Sequence, residues 1–248
     1  MVPETEMNDA MTEETTAAKK PAAAAPQPIR ARFYKTGMLQ YISHLDLVRT
    51  MTRIITRAGI PAWYTQGFNP RLKLTFAMPL SIGTQSECEF FDIKLVSPME
   101  PEEIKARLNE CLTSEMQITD VYTSERKFNE IGWARYEIKL TSPSFTPEDA
   151  QKLTTLYTNP LVVMKRSKAG DHEADISPFV RLDSVAYEDG SLLVKTLLSA
   201  DNATYVNPEH LVRKAEECLG TTFEDPFTEY YTIVRKEVYL SDGTTVFR

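Results

Sequence analysis

Between Ile29 and Thr75 the chain carries eight Arg/Lys and one carboxylate, Asp46, although the 248-residue sequence has a net charge of −7. A fold must place this local excess where water, an internal acid or an external anion can meet it, because a buried cation without a partner is costly. The imbalance is regional: residues 1–28 hold two basic and five acidic side chains, 29–96 nine and four, 97–248 seventeen and twenty-six. A basic N-terminal module therefore stands against an acidic remainder. Its cations are interleaved with Phe33, Tyr34, Tyr41, Trp63, Tyr64 and Phe68. Cations and flat rings together suit phosphate and base, so a nucleic-acid surface is the first expectation.

The length suffices for two domains that each bury a core. No apolar run approaches a membrane span, and the N-terminus opens MVPETEMNDAMTEE, with carboxylates where a signal peptide is basic. The cytoplasm is the expected compartment. Cys88, Cys111 and Cys218 are odd in number and far apart, without a CxxC pair, so they read as small apolar residues and not as a disulfide or metal framework. His172 and His210 are distant in sequence, and no P-loop, GxGxxG, EF-hand or nucleophile-elbow pattern occurs. No metal or cofactor is expected.

Residues 1–28, ending in KKPAAAAPQP, read as a disordered tail and linker. From residue 29 the periodicity predicts a strand to Lys35 and a helix capped by Ser43, with Asp46 three residues on, running to Arg57. Strands follow over 72–78 and 87–96, then a helix from Pro101 and a strand over 116–123. The second half repeats this with an added strand: 133–141, a helix capped by Thr146 with Pro147 in its first turn, 161–166, a hairpin around Asp189-Gly190, a helix from Asn207-Pro208, and a long strand to Leu240. The stretch Lys165 to Asp175, KRSKAGDHEAD, reads as a mobile, solvated loop. The expected fold class is α+β: two tandem ferredoxin-like (βαββαβ) units with antiparallel sheets, a basic one over 29–125 and an acidic, elaborated one over 126–248.

Three groups of residues invite a functional reading. Arg49, Arg53 and Arg57 recur every four residues along the first helix, with only Asp46 to offset them, and form either a solvated face or a ladder for phosphates. The loop from Pro61 to Lys73 adds Tyr64, Phe68, Arg71 and Lys73; Trp63 and Phe68 either seal the core there or stand out as stacking platforms. His44 lies at the start of the helix, where a neutral imidazole near Tyr34 or Tyr41 would serve as general base in metal-independent RNA cleavage, or simply as a structural cap.

The motif residues Ser43-His44-Leu45-Asp46-Leu47-Val48-Arg49, Arg57-Ala58-Gly59-Ile60-Pro61, Gln66-Gly67-Phe68-Asn69-Pro70 and Pro79-Leu80-Ser81-Ile82-Gly83 resemble the radical SAM-linked protein family. This bacterial domain family of unknown function occurs free-standing or C-terminal to radical SAM proteins, and the similarity spans roughly residues 29–245. It implies partnership with a radical SAM enzyme; the chain itself has no CxxxCxxC motif. It departs from the family in having Arg71-Leu72 after Asn69-Pro70 in place of His-Pro, and Asp175-Ile176-Ser177-Pro178 in place of D-I-R-P. In architecture alone it is also similar to CRISPR repeat-processing endoribonucleases. The expected function is a non-catalytic RNA-binding or substrate-presenting accessory to a radical SAM enzyme, the alternatives being a metal-independent endoribonuclease using His44 or a protein-interaction scaffold with a basic docking face.

Overall fold

The computed structural model describes residues 27–165 and 170–248. The tail and linker expected over 1–28 fall outside the described residues except for the last two, as do residues 166–169 of the expected loop.

Strand β1 (Gln27–Lys35) buries Ile29, Ala31 and Phe33 on alternate positions, which puts Arg30 and Arg32 on its other face. A short 3₁₀ turn leads to helix α1 (His44–Arg57), where the Ser43 hydroxyl accepts from the Asp46 N–H at 3.1 Å. Leu47, Met51 and Ile55, four residues apart, form its buried stripe. Strands β2 (Leu74–Phe76) and β3 (Thr84–Leu95), helix α2 (Pro101–Cys111) and strand β4 (Ile118–Tyr122) follow. The second half runs β5 (Ile131–Thr141), α3 (Pro147–Thr158), β6 (Val162–Lys165), β7 (His172–Asp175), β8 (Val180–Glu188), β9 (Ser191–Ser199), α4 (Glu209–Leu219) and β10 (Tyr230–Leu240). Thr146 caps α3 through a reciprocal box with Asp149, and Asp189-Gly190, both at positive φ, make the tight β8–β9 turn.

Two features differ from the sequence expectation. Residues 172–175 are not a solvated loop: β7 pairs antiparallel with β6, and the Asp175 carboxylate accepts from the N–H groups of Leu161 and Ser177, fixing the foot of this small ribbon. Nor are there two separate antiparallel sheets. One eight-stranded, mostly antiparallel sheet runs β4-β1-β3-β10-β5-β9-β8, with β2 added to β3, and β10 joins β3 in parallel. The architecture is α+β. One core lies under α1 and α2, around Met51, Ile55, Phe91 and Ile104; a larger one lies under α3 and α4, around Tyr136, Leu153, Leu192 and Leu211.

The join is where charge is buried. Lys35 and Arg235 both lie opposite Ser86, and Arg235 also opposite Tyr136, so a polar row crosses β1, β3, β10 and β5 with every member at most 2% exposed. The Arg235 guanidinium donates to the Glu89 carboxylate at 2.8 Å, the Tyr136 hydroxyl at 3.0 Å and the Pro79 carbonyl at 3.2 Å. Lys35 has no ion pair among the described residues; burial lowers its pKa, Glu89 opposes that shift and Arg235 adds to it.

Glu89→Gln, which leaves Arg235 buried without its anion, is expected to lower unfolding stability in urea by about 3–5 kcal/mol. Lys35→Met is expected to raise it by about 1 kcal/mol at pH 7, since a poorly paired buried cation is replaced by apolar volume. Because the folded-state pKa of Lys35 is depressed, protonation favours the unfolded chain. The wild type should therefore gain stability as pH rises from that folded value towards 10.5, a rise the variant lacks.

Candidate functional site

The eight cations between Ile29 and Thr75 divide into internal and external sets. Arg30 is 1% exposed, forks onto Asp92 at 2.8 and 2.9 Å, and lies over the rings of Phe128 and Phe247 at 4.2 and 4.9 Å. Arg32 pairs with Glu237 of β10 at 3.1 Å, and Lys35 belongs to the buried row. These three answer internal needs. On α1, Arg49 meets Asp46 at 3.3 Å, while the Ser43 hydroxyl bond, followed by Arg49, holds the Asp46 carboxyl below its usual pKa. Arg53, Arg57, Arg71 and Lys73 are exposed and have no ion pair among the described residues.

These four sit on neighbouring elements. Residues 62–73 double back as a hairpin: the Thr65 N–H donates to the Arg71 carbonyl at 2.8 Å, and the Lys73 N–H to the Trp63 carbonyl at 3.1 Å. Gln66 to Pro70 form its tip, all exposed, with Gly67 at φ 134°, a conformation closed to side-chain-bearing residues. Phe68 at the tip is 106% exposed, so of the two sequence readings it takes that of a bare ring; Trp63 is half-buried. The Tyr64 and Thr56 hydroxyls share a 3.0 Å hydrogen bond, which ties the hairpin to the last turn of α1 between Arg53 and Arg57. At its base the Trp63 N–H donates to the Lys94 carbonyl at 2.7 Å. Lys94, a residue sequence reasoning did not single out, joins Lys73 and the Asp92 carboxylate in lining a cleft of about 180 Å³. The signal was present: Lys94 is the outward position between the buried Ile93 and Leu95.

His44 lies at the other end of α1, about 20 Å along the axis from Arg57 at 1.5 Å per residue. Its exposed imidazole meets the edge of Phe76 at 5.6 Å between centroids and has no hydrogen-bond partner among the described residues. Tyr34 donates its hydroxyl proton to the Ser114 carbonyl at 3.0 Å. The structure thus gives His44 neither a carboxylate nor the Tyr34 hydroxyl as orienting partner. A second feature, absent from the sequence reading, lies nearby. Met38, Tyr41, Leu45 and Ile82 are 56–70% exposed, and the Gly83 N–H donates to the Gln40 carbonyl, bringing the Pro79–Gly83 segment against the 3₁₀ turn. The motif residues therefore occupy two places, an apolar surface at the start of α1 and the hairpin tip beyond its end.

Among the described residues no group of three His, Cys, Asp or Glu is placed to hold a metal ion, and no helix is long and apolar enough to cross a membrane. Burial pushes the Cys88 thiol up to about 12, and all three cysteines are free.

A family model described as "Uncharacterized protein conserved in bacteria (DUF2344)" matches residues 28–208, which takes in the hairpin and the β6–β7 ribbon and stops short of α4 and β10. No curated protein matches the sequence. Among solved structures, a chain of a Cbf5-Nop10-Gar1 complex is 9% identical, with 90% of this chain and 56% of that chain covered and a TM-score of 0.45, so this chain spans little more than half its length. A DypB variant in complex with manganese is 10% identical, covering 87% of this chain and 96% of that one, with a TM-score of 0.21. A Rhodococcus jostii DypB variant in complex with heme is 9% identical with the same coverages and score.

Since the ring of Phe68 touches no core, Phe68→Ser is expected to leave the unfolding stability in urea within about 0.5 kcal/mol of wild type. Ile55→Ala, in the buried stripe of the same region, should cost about 2–5 kcal/mol.

Proposed function

The chain belongs to the bacterial family described as uncharacterized and conserved in bacteria, DUF2344, and we propose that it binds single-stranded RNA through α1 and the 62–73 hairpin, as a non-catalytic accessory presenting substrate to a radical SAM enzyme. The observation that carries the RNA reading is the set of exposed cations without ion pairs among the described residues, Arg53 and Arg57 at the end of α1 and Arg71 and Lys73 on the hairpin tied to it, together with the bare ring of Phe68 and the partly bare ring of Tyr64. Magnitudes favour a ligand with both phosphate and base. Exposed ion pairs contribute about 0–1 kcal/mol each, whereas stacking a base on an aromatic ring is worth about 1–3 kcal/mol. The Tyr64–Thr56 bond orients the hairpin in advance, which reduces the ordering cost on binding.

The radical SAM partnership is supported by the motif residues at 43–49, 57–61, 66–70 and 79–83. The exposed Met38, Tyr41, Leu45 and Ile82 offer the kind of apolar surface a protein partner covers, separate from the cationic face. On the same reading the protein is cytoplasmic and each half is a ferredoxin-like unit. Support for the latter comes from strand order: β4-β1-β3 with β2 beyond β3 in the first half, and β10-β5-β9-β8 in the second, where the β6–β7 ribbon is the elaboration.

Fluorescence anisotropy with single-stranded and hairpin RNA over a salt series tests the proposal. Four phosphate contacts at about 0.7 each predict a log–log slope near −3 for the single strand, and Arg53→Glu with Arg57→Glu should remove about 1.4 of it and weaken binding. Absence of binding at low salt, or no change in the double variant, overturns it. RNA should stay intact in the presence of chelator; cleavage lost in His44→Ala would instead make the protein a ribonuclease. A partner that stays bound after nuclease treatment through the basic face would make that face a protein dock.

A further inference from the structure

The exposed side of α4 presents His210, Arg213, Lys214 and Glu217 at spacings of three and four residues, so they share one face. Opposite lies the outward face of the β6–β7 ribbon, where Val162 and Met164 alternate outward and Met164 pairs with Glu173. Between them is a cleft of about 290 Å³. That volume is at the lower end for small-molecule sites, about 300–1,000 Å³, and suits a ligand the size of a mononucleotide.

The lining is divided by chemistry. Lys214 and Glu217 meet at 2.6 Å and satisfy each other. Arg213 and Glu173 have no ion pair among the described residues, although each faces the cleft. The half-buried His210 has its pKa lowered by burial, then by the nearby charges of Arg213 and Lys165, so the cations lie close to that end of the cleft. The floor is apolar: Val162 and Met164 are 43% and 53% exposed, an unusual state for two large apolar side chains side by side on a strand. A positive end, an apolar floor and a carboxylate without an ion pair among the described residues ask for one ligand carrying an anion, a flat ring and a hydrogen-bond donor.

We propose that the cleft between α4 and the β6–β7 ribbon binds a nucleoside monophosphate. The phosphate lies on Arg213 and His210, the base rests on Val162 and the polarizable thioether of Met164, and Glu173 accepts from an exocyclic amine or a ribose hydroxyl. Inorganic phosphate would use one end only, and a nucleoside the other. The site lies in the other half of the chain from the RNA-binding face, and the two proposals fail separately.

Isothermal titration of the full chain with adenosine 5′-monophosphate tests this, with adenosine and inorganic phosphate as further arms. Saturable binding of the monophosphate is expected, tighter than either arm. Arg213→Gln should weaken it about tenfold or more, Met164→Glu should abolish it, and Arg53→Glu with Arg57→Glu should leave it unchanged. Both substituted positions in the cleft are exposed, and unfolding midpoints equal to wild type will show that the fold is kept. No saturation at millimolar ligand, undiminished binding by Arg213→Gln, equal affinity for inorganic phosphate, or loss of binding in the Arg53/Arg57 variant would each overturn the proposal.

Discussion

The contact on which the rest of the molecule depends is the buried pair of Arg235 and Glu89, with the strand that carries it. β10 lies between β3 and β5, and without it the sheet would be two pieces. The insertion is held by a ten-pair antiparallel register with β5, but only three parallel pairs, Ile233–Thr84 to Arg235–Ser86, hold it to β3. On that short side, the guanidinium that reaches Glu89, Tyr136 and the Pro79 carbonyl supplies cross-strand bonds that the backbone does not. A buried pair of this kind adds little net stability over apolar packing, but makes the removal of either partner costly. It therefore fixes which residues meet at the join.

The same accounting of charge explains why the basic N-terminal stretch is not uniformly available to a ligand. Arg30 and Arg32 point to the sheet face opposite α1 and α2, and are answered there by Asp92, Glu237 and aromatic rings; Lys35 is drawn into the join. The cations left facing water belong to a helix face and a hairpin, both anchored from beneath by core residues. Function and folding thus divide one charge cluster between them according to which side of each element faces water.

Much of this organisation was legible in the chain. Alternation in Gln27–Lys35, the Ser43 cap, the three- and four-residue stripe of α1 and the Asp189-Gly190 turn each state a local preference that packing then reinforced. The arginine ladder was legible as a pattern. Which of the eight cations had partners was not, because Asp92 and Glu237 lie 62 and 205 residues away from the arginines they meet. β7 was missed for a related reason: HEAD has no strand composition, and it pairs only because β6 offers an edge and Asp175 ties its foot to Leu161. The parallel β3–β10 pairing also lies beyond local reading, since it links residues about 150 positions apart.

That pairing has a kinetic side. The strand completing the middle of the sheet follows β5 by about a hundred residues, so during synthesis β5 emerges with a whole edge, 131–141, open over that interval. At roughly 5–20 residues per second this interval is on the order of ten seconds, during which a β-rich edge stands ready to pair with another chain. In this chain β10 thus acts as a late lock, and the yield in a cell depends on how well that open edge is sheltered until residue 240 has left the ribosome.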